Sequence, residues 1–396
     1  MGDYCLKFVL VNWYFAHEGI IGGCESFHEK LAVALRRAGH EVDFVSYKKA
    51  AEEANINLPF HRLRYPEAQA SILIDQFLER HYSRNDHDLM LIRDAGVGGL
   101  IDVGLPEIDV FGNPYYTLYD RLRNLGKIDK FAYIDKHDFS TCLEKMTATN
   151  ALQNVALSNF MATVEMPSLG IRCDRVINNA VDIEQFKPQE KKPLRRKFGF
   201  ATKDVVGCWV GSWTAVKGIE IINQLTSKFR EIKWVLVLKH NFTGSLMIPS
   251  EATTAERKLR ALFLKFFKQS GYAYKRGNIR ILCQLQPQVL AEIYSLSDFA
   301  VLPYLCEGNS HVVLEACASN LPLVTTQTGL FWDFWNEKIG YRMSDTQNID
   351  EYASAIDRLL EDSPVFQPRN VILDQHLDLE TWERKWIDYL TDIPRQ

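Results

Sequence analysis

The chain has 396 residues, 46% hydrophobic and 24% charged, with a net charge of −4. That composition belongs to a globular, soluble chain of about two domains; it excludes a disordered protein and gives no overall electrostatic case for nucleic-acid binding. The eight cysteines are scattered with no CxxC pair, which argues against a zinc site or a disulfide framework and for reduced thiols in a cytoplasmic protein. The opening "MGDYCLKFVLVNWYF" has no basic region before its apolar run. The run is too short to span a bilayer and reads as a first strand (6–13) rather than a signal peptide. "ESFHEKLAVALRRAG" (25–39) follows, an amphipathic helix closed by Gly39, and then the strand "EVDFVS". Further strands are expected at 88–93, 130–135 and 155–158. The polar stretch 187–193, which carries a proline, reads as a linker. Beyond it a second series begins, with strands at 205–211, 233–239, 279–283, 298–304 and 321–326. Alternating strands and helices of this kind predict two doubly wound α/β domains, 1–186 and 187–375, with the carboxyl ends of their strands facing a central cleft. The segment 376–396 reads as a helix with Trp382, Trp386 and Leu390 on one side, packing back on the first domain. The basic segment 256–276 carries Leu259, Leu262, Phe263, Phe266 and Phe267 as one stripe. It leaves a peripheral membrane contact open, although a helix packed on its own sheet with exposed lysines is favoured.

The stretch "EGNSHVVLE" holds Glu307 and Glu315 eight positions apart. "EGNS" has turn character after an apolar strand, and "HVVLEACAS" reads as the start of a helix. Glu307 would then sit past the carboxyl end of a strand. The N–H groups of Asn309, Ser310, His311 and Val312 would form an anion site at the helix start. Glu315, read as two turns into the helix, would lie roughly 9–11 Å along its axis, about the reach from a β-phosphate to the ribose of one nucleotide.

Four stretches, "GGCESFHEKLAVALRRAGHEV", "VINNAVDIEQFKP", "VGSWTAVKGIE" and "DFAVLPYLCEGNSHVVLEACASNLPLVTT", occur in that order. As an ordered set they resemble the retaining glycosyltransferases of family 4, which have the GT-B fold. The resemblance runs from the first helix to the terminal helix. It implies a retaining transfer of a hexosyl or pentosyl group from a nucleotide sugar, UDP- or GDP-linked, to an acceptor hydroxyl, with no cofactor and no metal. The acceptor class is left open among saccharide, lipid-linked, protein and modified nucleic acid. Site roles follow by matching positions. Glu307 matches the glutamate near the donor sugar and Glu315 the one on the ribose hydroxyls. Lys217 matches the lysine that neutralises the diphosphate, and His137 the histidine that reaches the transferred sugar. Gly22 and Gly23 match a loop that lets backbone approach donor and acceptor, while Gly211, Ser212, Gly308, Asn309, Ser310, His311 and Val312 complete the donor site.

The matched roles suit the chemistry. Negative charge grows on the leaving diphosphate, and a fixed cation with helix-start amides stabilises it. The departing phosphate can itself take the acceptor proton, so no carboxylate nucleophile is needed. The chain departs from the family at Ser212, where an arginine is usual, and Lys239 or His240 is the candidate for the missing charge. It also departs at Ala180 and Asn320, each in place of a glycine. Two other readings stand beside transfer: a weak or inactive nucleotide-sugar-binding protein of the same fold, and a sugar-nucleotide epimerase.

Overall fold

The protein is described from a computed structural model, which covers residues 5–15, 23–56, 66–82, 86–93, 97–128, 138–238, 273–283, 285–362 and 365–393. It forms two compact units. The first comprises Met1–Asn179, Glu307–Asn309 and Glu380–Gln396; the second comprises Ala180–Cys306 and Ser310–Leu379. The chain thus passes from one unit to the other at Asn179/Ala180, ahead of the 186/187 boundary suggested by composition. The stretch read as a linker is held on the second unit. Its end enters a short helix, Lys191–Lys197, in which Arg195 is buried against Asp298 at 2.6 Å and donates to the Leu296 carbonyl.

The first unit is built on β1 (Lys7–Asn12), β2 (Glu41–Ser46), β3 (Leu89–Arg93), β4 (Glu107–Phe111), β5 (Gln153–Ala156) and β6 (Arg175–Val176). All neighbours pair in parallel in the order β2-β1-β3-β4-β5-β6. This is one of the two common doubly wound orders, and it reverses between β1 and β3. The helix Gly23–Arg37 follows β1 and buries Phe27, Leu31 and Leu35. Its end is closed by backbone bonds from Gly39 and His40 to the last turn, with Gly39 at φ +91°.

The terminal helix, Leu379–Asp392, packs on this unit as its sequence suggested. Trp382, Trp386 and Leu390, spaced four apart, are all buried. Trp386 and Trp382 meet the Phe27 ring edge-on, at 5.3 and 5.5 Å between centroids. Arg37 pairs with Glu383 at 2.9 Å, and the Tyr389 hydroxyl donates to Gln153 Oε1 at 2.6 Å.

The second unit is built on β7 (Val206–Gly211), β8 (Lys233–Leu238), β9 (Ala273–Arg276), β10 (Ile279–Cys283), β11 (Phe299–Leu302), β12 (Leu323–Thr326) and β13 (Gly340–Met343). The order is β13-β12-β11-β7-β8-β10-β9. Taken from β7 without β9, that is the 3-2-1-4-5-6 order of nucleotide-binding sheets, and it reverses between β7 and β11. Side chains alternate between two buried clusters. Cys208, Val210, Val235, Val237, Ala300 and Leu302 face one; Trp209, Trp234, Leu236, Phe299 and Val301 face the other. Both faces are covered, which is why these strands read as continuous apolar runs.

One expectation is corrected here. At the edge of this sheet β9 pairs antiparallel with β10. Residues 273–276, the tail of the basic segment read as a helix, form that edge strand. The rest of the segment, 256–272, lies outside the described residues, as does the strand expected at 130–135. Among the described residues, no helix is long and apolar enough to cross a membrane.

Candidate functional site

In doubly wound sheets, ligands bind beyond the carboxyl ends of the strands where the strand order reverses. In the second unit that point is flanked by the loops that leave β7 and β11, and these carry the residues singled out in the sequence.

The β7 loop is short and fixed at several points. Thr214 starts a single tight turn, Ala215–Lys217, which ends at Gly218 with φ +67° and ψ +31°. A Cβ on Gly218 would lie 2.1 Å from the Pro303 carbonyl oxygen, so only glycine allows the two loops to approach this closely. The Leu305 amide donates to Val216 O at 2.8 Å, and the Trp209 indole donates to Lys217 O at 3.0 Å. The first methylenes of Lys217 pack on Gly211, where a Cβ would come within 3.3 Å of them. The Lys217 ammonium then lies over the Tyr304 ring, 4.8 Å from its centroid. Tyr304 is buried, and its hydroxyl donates to Val210 O at 2.6 Å. Ser212, which stands where the resemblance implies an arginine, has its hydroxyl 3.5 Å from that of Thr214.

The β11 loop leads to the helix His311–Ala318, whose N-cap is Ser310 with extended backbone. The Leu314 amide bonds back to Ser310 O at 3.3 Å. The N–H groups of His311, Val312 and Val313 therefore precede the first intrahelical bond and point out of the helix start. Glu315 is partly exposed and sits four residues into the helix, about 6 Å of rise. That is just over one turn, not the two expected: the helix begins at His311 as read, and four residues at 3.6 per turn go no further. The Tyr294 hydroxyl, from the helix Pro287–Leu296, donates to Glu315 Oε2 at 3.1 Å. Burial raises the Tyr294 phenol well above its ordinary range, and the Glu315 carboxylate raises it further; the same two causes, in that order, act on Tyr304.

Glu307, Gly308 and Asn309 belong to the first unit. There the Ser158 hydroxyl donates to Gly308 O at 2.7 Å, the Asn309 amide donates to Leu157 O, and the Asn179 amide donates to Asn309 O at 3.2 Å. A Cβ on Gly308 would fall 1.9 Å from the Gly112 carbonyl oxygen. The glycine after Glu307 is thus required by close backbone approach, and Glu307 leaves from a tightly held tripeptide beyond the end of β5. Asn309 lies in this tripeptide and not in the helix-start site expected for it. Gly23 is the first residue of its helix. Gly22, His137, Lys239 and His240 lie outside the described residues.

Nothing in the residue pattern singles out Tyr294 or Tyr304. Both sit in apolar stretches and read as core, and what sets them apart is where their hydroxyls and rings end up. Among the described residues, no three His, Cys, Asp or Glu side chains gather so as to hold a metal ion.

Residues 190–372, just under half of the chain, match the family described as Glycosyl transferases group 1. An uncharacterized glycosyltransferase of Methanocaldococcus jannaschii is 22% identical over 381 residues, covering 90% of each chain. Among solved structures, the sucrose-phosphate synthase of Thermosynechococcus elongatus superposes with a TM-score of 0.76 at 16% identity, covering 98% of this chain and 99% of that one. Anabaena HepE, in complex with UDP and glucose, superposes with a TM-score of 0.68 at 17% identity, covering 98% and 100%. With its two doubly wound sheets the protein has the GT-B fold, and its second unit is similar to the glycosyl transferases group 1 over residues 190–372.

Proposed function

We propose that the protein is a retaining, metal-independent glycosyltransferase that moves a hexosyl or pentosyl group from a UDP- or GDP-linked sugar to an acceptor hydroxyl. The observation that carries the reading is the Lys217 turn: a cation held by backbone bonds at the reversal point of the second sheet, in the same unit as the amide start of the His311–Ala318 helix. Together these supply the positive potential that a leaving diphosphate needs, without a divalent ion. In the reaction the bond from the sugar C1 to the diphosphate oxygen breaks, and a bond from C1 to the acceptor oxygen forms on the same face. The acceptor proton passes to the departing phosphate oxygen. In this reading Glu315 holds the ribose hydroxyls, Glu307 lies by the transferred sugar, and the amides of Ser310, His311 and Val312 meet phosphate oxygens. His137 takes the sugar-side role that the family resemblance gives it. The UDP and glucose bound by Anabaena HepE, on the same fold, support a nucleotide-sugar donor.

The test is a thermal-shift screen against UDP-, GDP-, ADP- and dTDP-sugars, followed by a donor hydrolysis assay. A stabilising donor that is also turned over is the expected result. Binding without turnover would instead identify a nucleotide-sugar-binding protein, and no shift with any donor would overturn the reading.

A further inference from the structure

We infer that Tyr294 is the positioning residue for Glu315, and that through it Tyr294 sets the discrimination between ribose and 2′-deoxyribose in the bound nucleotide. The inference rests on the reading of Glu315 as the ribose ligand and extends it to a residue behind the site. Glu315 is a partly exposed side chain on the helix His311–Ala318. Holding such a side chain in one rotamer costs conformational entropy unless something fixes it. Tyr294 supplies a fixing contact. Its ring is fully buried on the helix Pro287–Leu296, set 6.2 Å from the Phe186 ring, and its hydroxyl donates to Glu315 Oε2 at 3.1 Å.

The donor is well suited to the task. Burial and the neighbouring carboxylate keep the phenol protonated far above neutral pH, so it always presents its hydrogen to Glu315. A tyrosine has two rotatable side-chain bonds, and both are locked here by packing, so the carboxylate inherits a fixed plane. Two vicinal hydroxyls are recognised by a carboxylate only when its oxygens are aimed at both, and a carboxylate retains acceptor capacity after accepting one hydrogen bond. Sites built to bond a particular hydroxyl reject the analogue that lacks it far better than sites that merely enclose it, provided the acceptor is held in place.

The experiment is isothermal titration with UDP, GDP and ADP, then with the 2′-deoxy counterpart of whichever binds. It is run on wild type, Tyr294→Phe, Glu315→Gln and the double variant. Tyr294→Phe removes one oxygen and keeps the ring, and circular dichroism verifies its fold. Wild type should bind the ribonucleotide about 10- to 100-fold more tightly than the 2′-deoxy form, for one or two lost hydrogen bonds to a charged group. Tyr294→Phe should cut that ratio at least threefold, and the double variant should discriminate no worse than Glu315→Gln alone. If Glu315→Gln collapses the ratio while Tyr294→Phe keeps it, the positioning role falls and the ribose reading stands. If Glu315→Gln keeps the ratio, or none of the three nucleotides binds, the ribose reading falls and the inference with it. If Tyr294→Phe does not fold, the same ratio is read in Tyr294→Met, which keeps an apolar side chain without the hydroxyl, under the same criteria.

Discussion

Replacing Gly218 by alanine tests how the Lys217 turn is made. The residue has φ +67° and ψ +31°, where an L side chain costs roughly 1–2 kcal/mol. The added Cβ would stand 2.1 Å from Pro303 O, 2.5 Å from Pro303 Cγ and 2.8 Å from Pro303 C. An ordinary contact needs more than 3 Å, so either loop must move by about 1 Å, and the obstacle includes backbone that cannot swing aside. Adding overpacking of about 1–3 kcal/mol gives a total of roughly 2–5 kcal/mol. Gly277 in the same unit is the control. It has φ +58° with nothing within 4 Å of its Cβ position, so Gly277→Ala should cost only the roughly 1–2 kcal/mol of the backbone conformation. Guanidinium unfolding of both variants, compared by midpoint and slope, measures the difference. Gly218→Ala should also weaken nucleoside diphosphate binding, since the turn that moves carries Lys217. Equal destabilisation by the two substitutions would refute the close approach, and unchanged nucleotide affinity would detach the turn from the ligand.

Three further outcomes are expected. Burial raises the Asp75 carboxyl to about 6, against a countering pull from the amides of Gly99, Leu100 and Ile101 that it accepts, and burial with Asp109, Asp75 and Asp102 nearby raises Glu107 well above its ordinary value. A carboxyl with a raised folded pKa stabilises most when protonated, so its contribution is full at low pH and is lost as pH rises from 3.8 through about 6. Urea unfolding should therefore show this group favouring the first unit at pH 5 over pH 7 by on the order of 1–2 kcal/mol, and Asp75→Asn should flatten that slope; an identical slope in wild type and variant would contradict the assignment. Glu315→Gln should weaken bare nucleoside diphosphate binding by about 1–3 kcal/mol in isothermal titration, while Glu307→Gln should leave it nearly unchanged and act on turnover; the reverse pattern would exchange their roles. Transfer should persist in EDTA, and activity lost there and restored by Mn²⁺ would contradict a cation supplied by the chain itself.

Much of the fold was legible because parallel strands covered on both faces leave unbroken apolar runs, as in β1, β7, β8 and β11. β4 escaped for the opposite reason. It reads "EIDVF", with two charged letters, yet Glu107 and Asp109 are 4% and 3% exposed. No pattern of residues reveals that burial and neighbouring carboxylates push the Glu107 carboxyl well above its ordinary range. β9 was misread because "AYKR" continues a basic amphipathic stretch, and only its pairing with β10 makes it a strand. β13 depends on Gly340, whose Cβ would fall 2.0 Å from Leu323 O, a tertiary constraint with no local signature. In the second unit, the order of motifs singled out Lys217 and Glu315. The depth of Glu315 in its helix was misjudged by nearly a turn, because four residues from the correctly read start at His311 make just over one turn. The contacts of Tyr294 and Tyr304 were invisible, since a tyrosine in an apolar run looks the same whether its hydroxyl meets a core carbonyl or the Glu315 carboxylate.

Sugar transfer through a leaving diphosphate stabilised at the Lys217 turn, with Glu307 beside the sugar, is the proposed activity. Its most direct measurement is the steady-state turnover of the preferred nucleotide sugar by wild type, Lys217→Ala and Glu307→Ala, each verified as folded by circular dichroism. Each substitution should lower turnover by on the order of 10²–10³, the usual loss when one contact to developing charge is removed. Wild-type turnover in both variants would contradict the account.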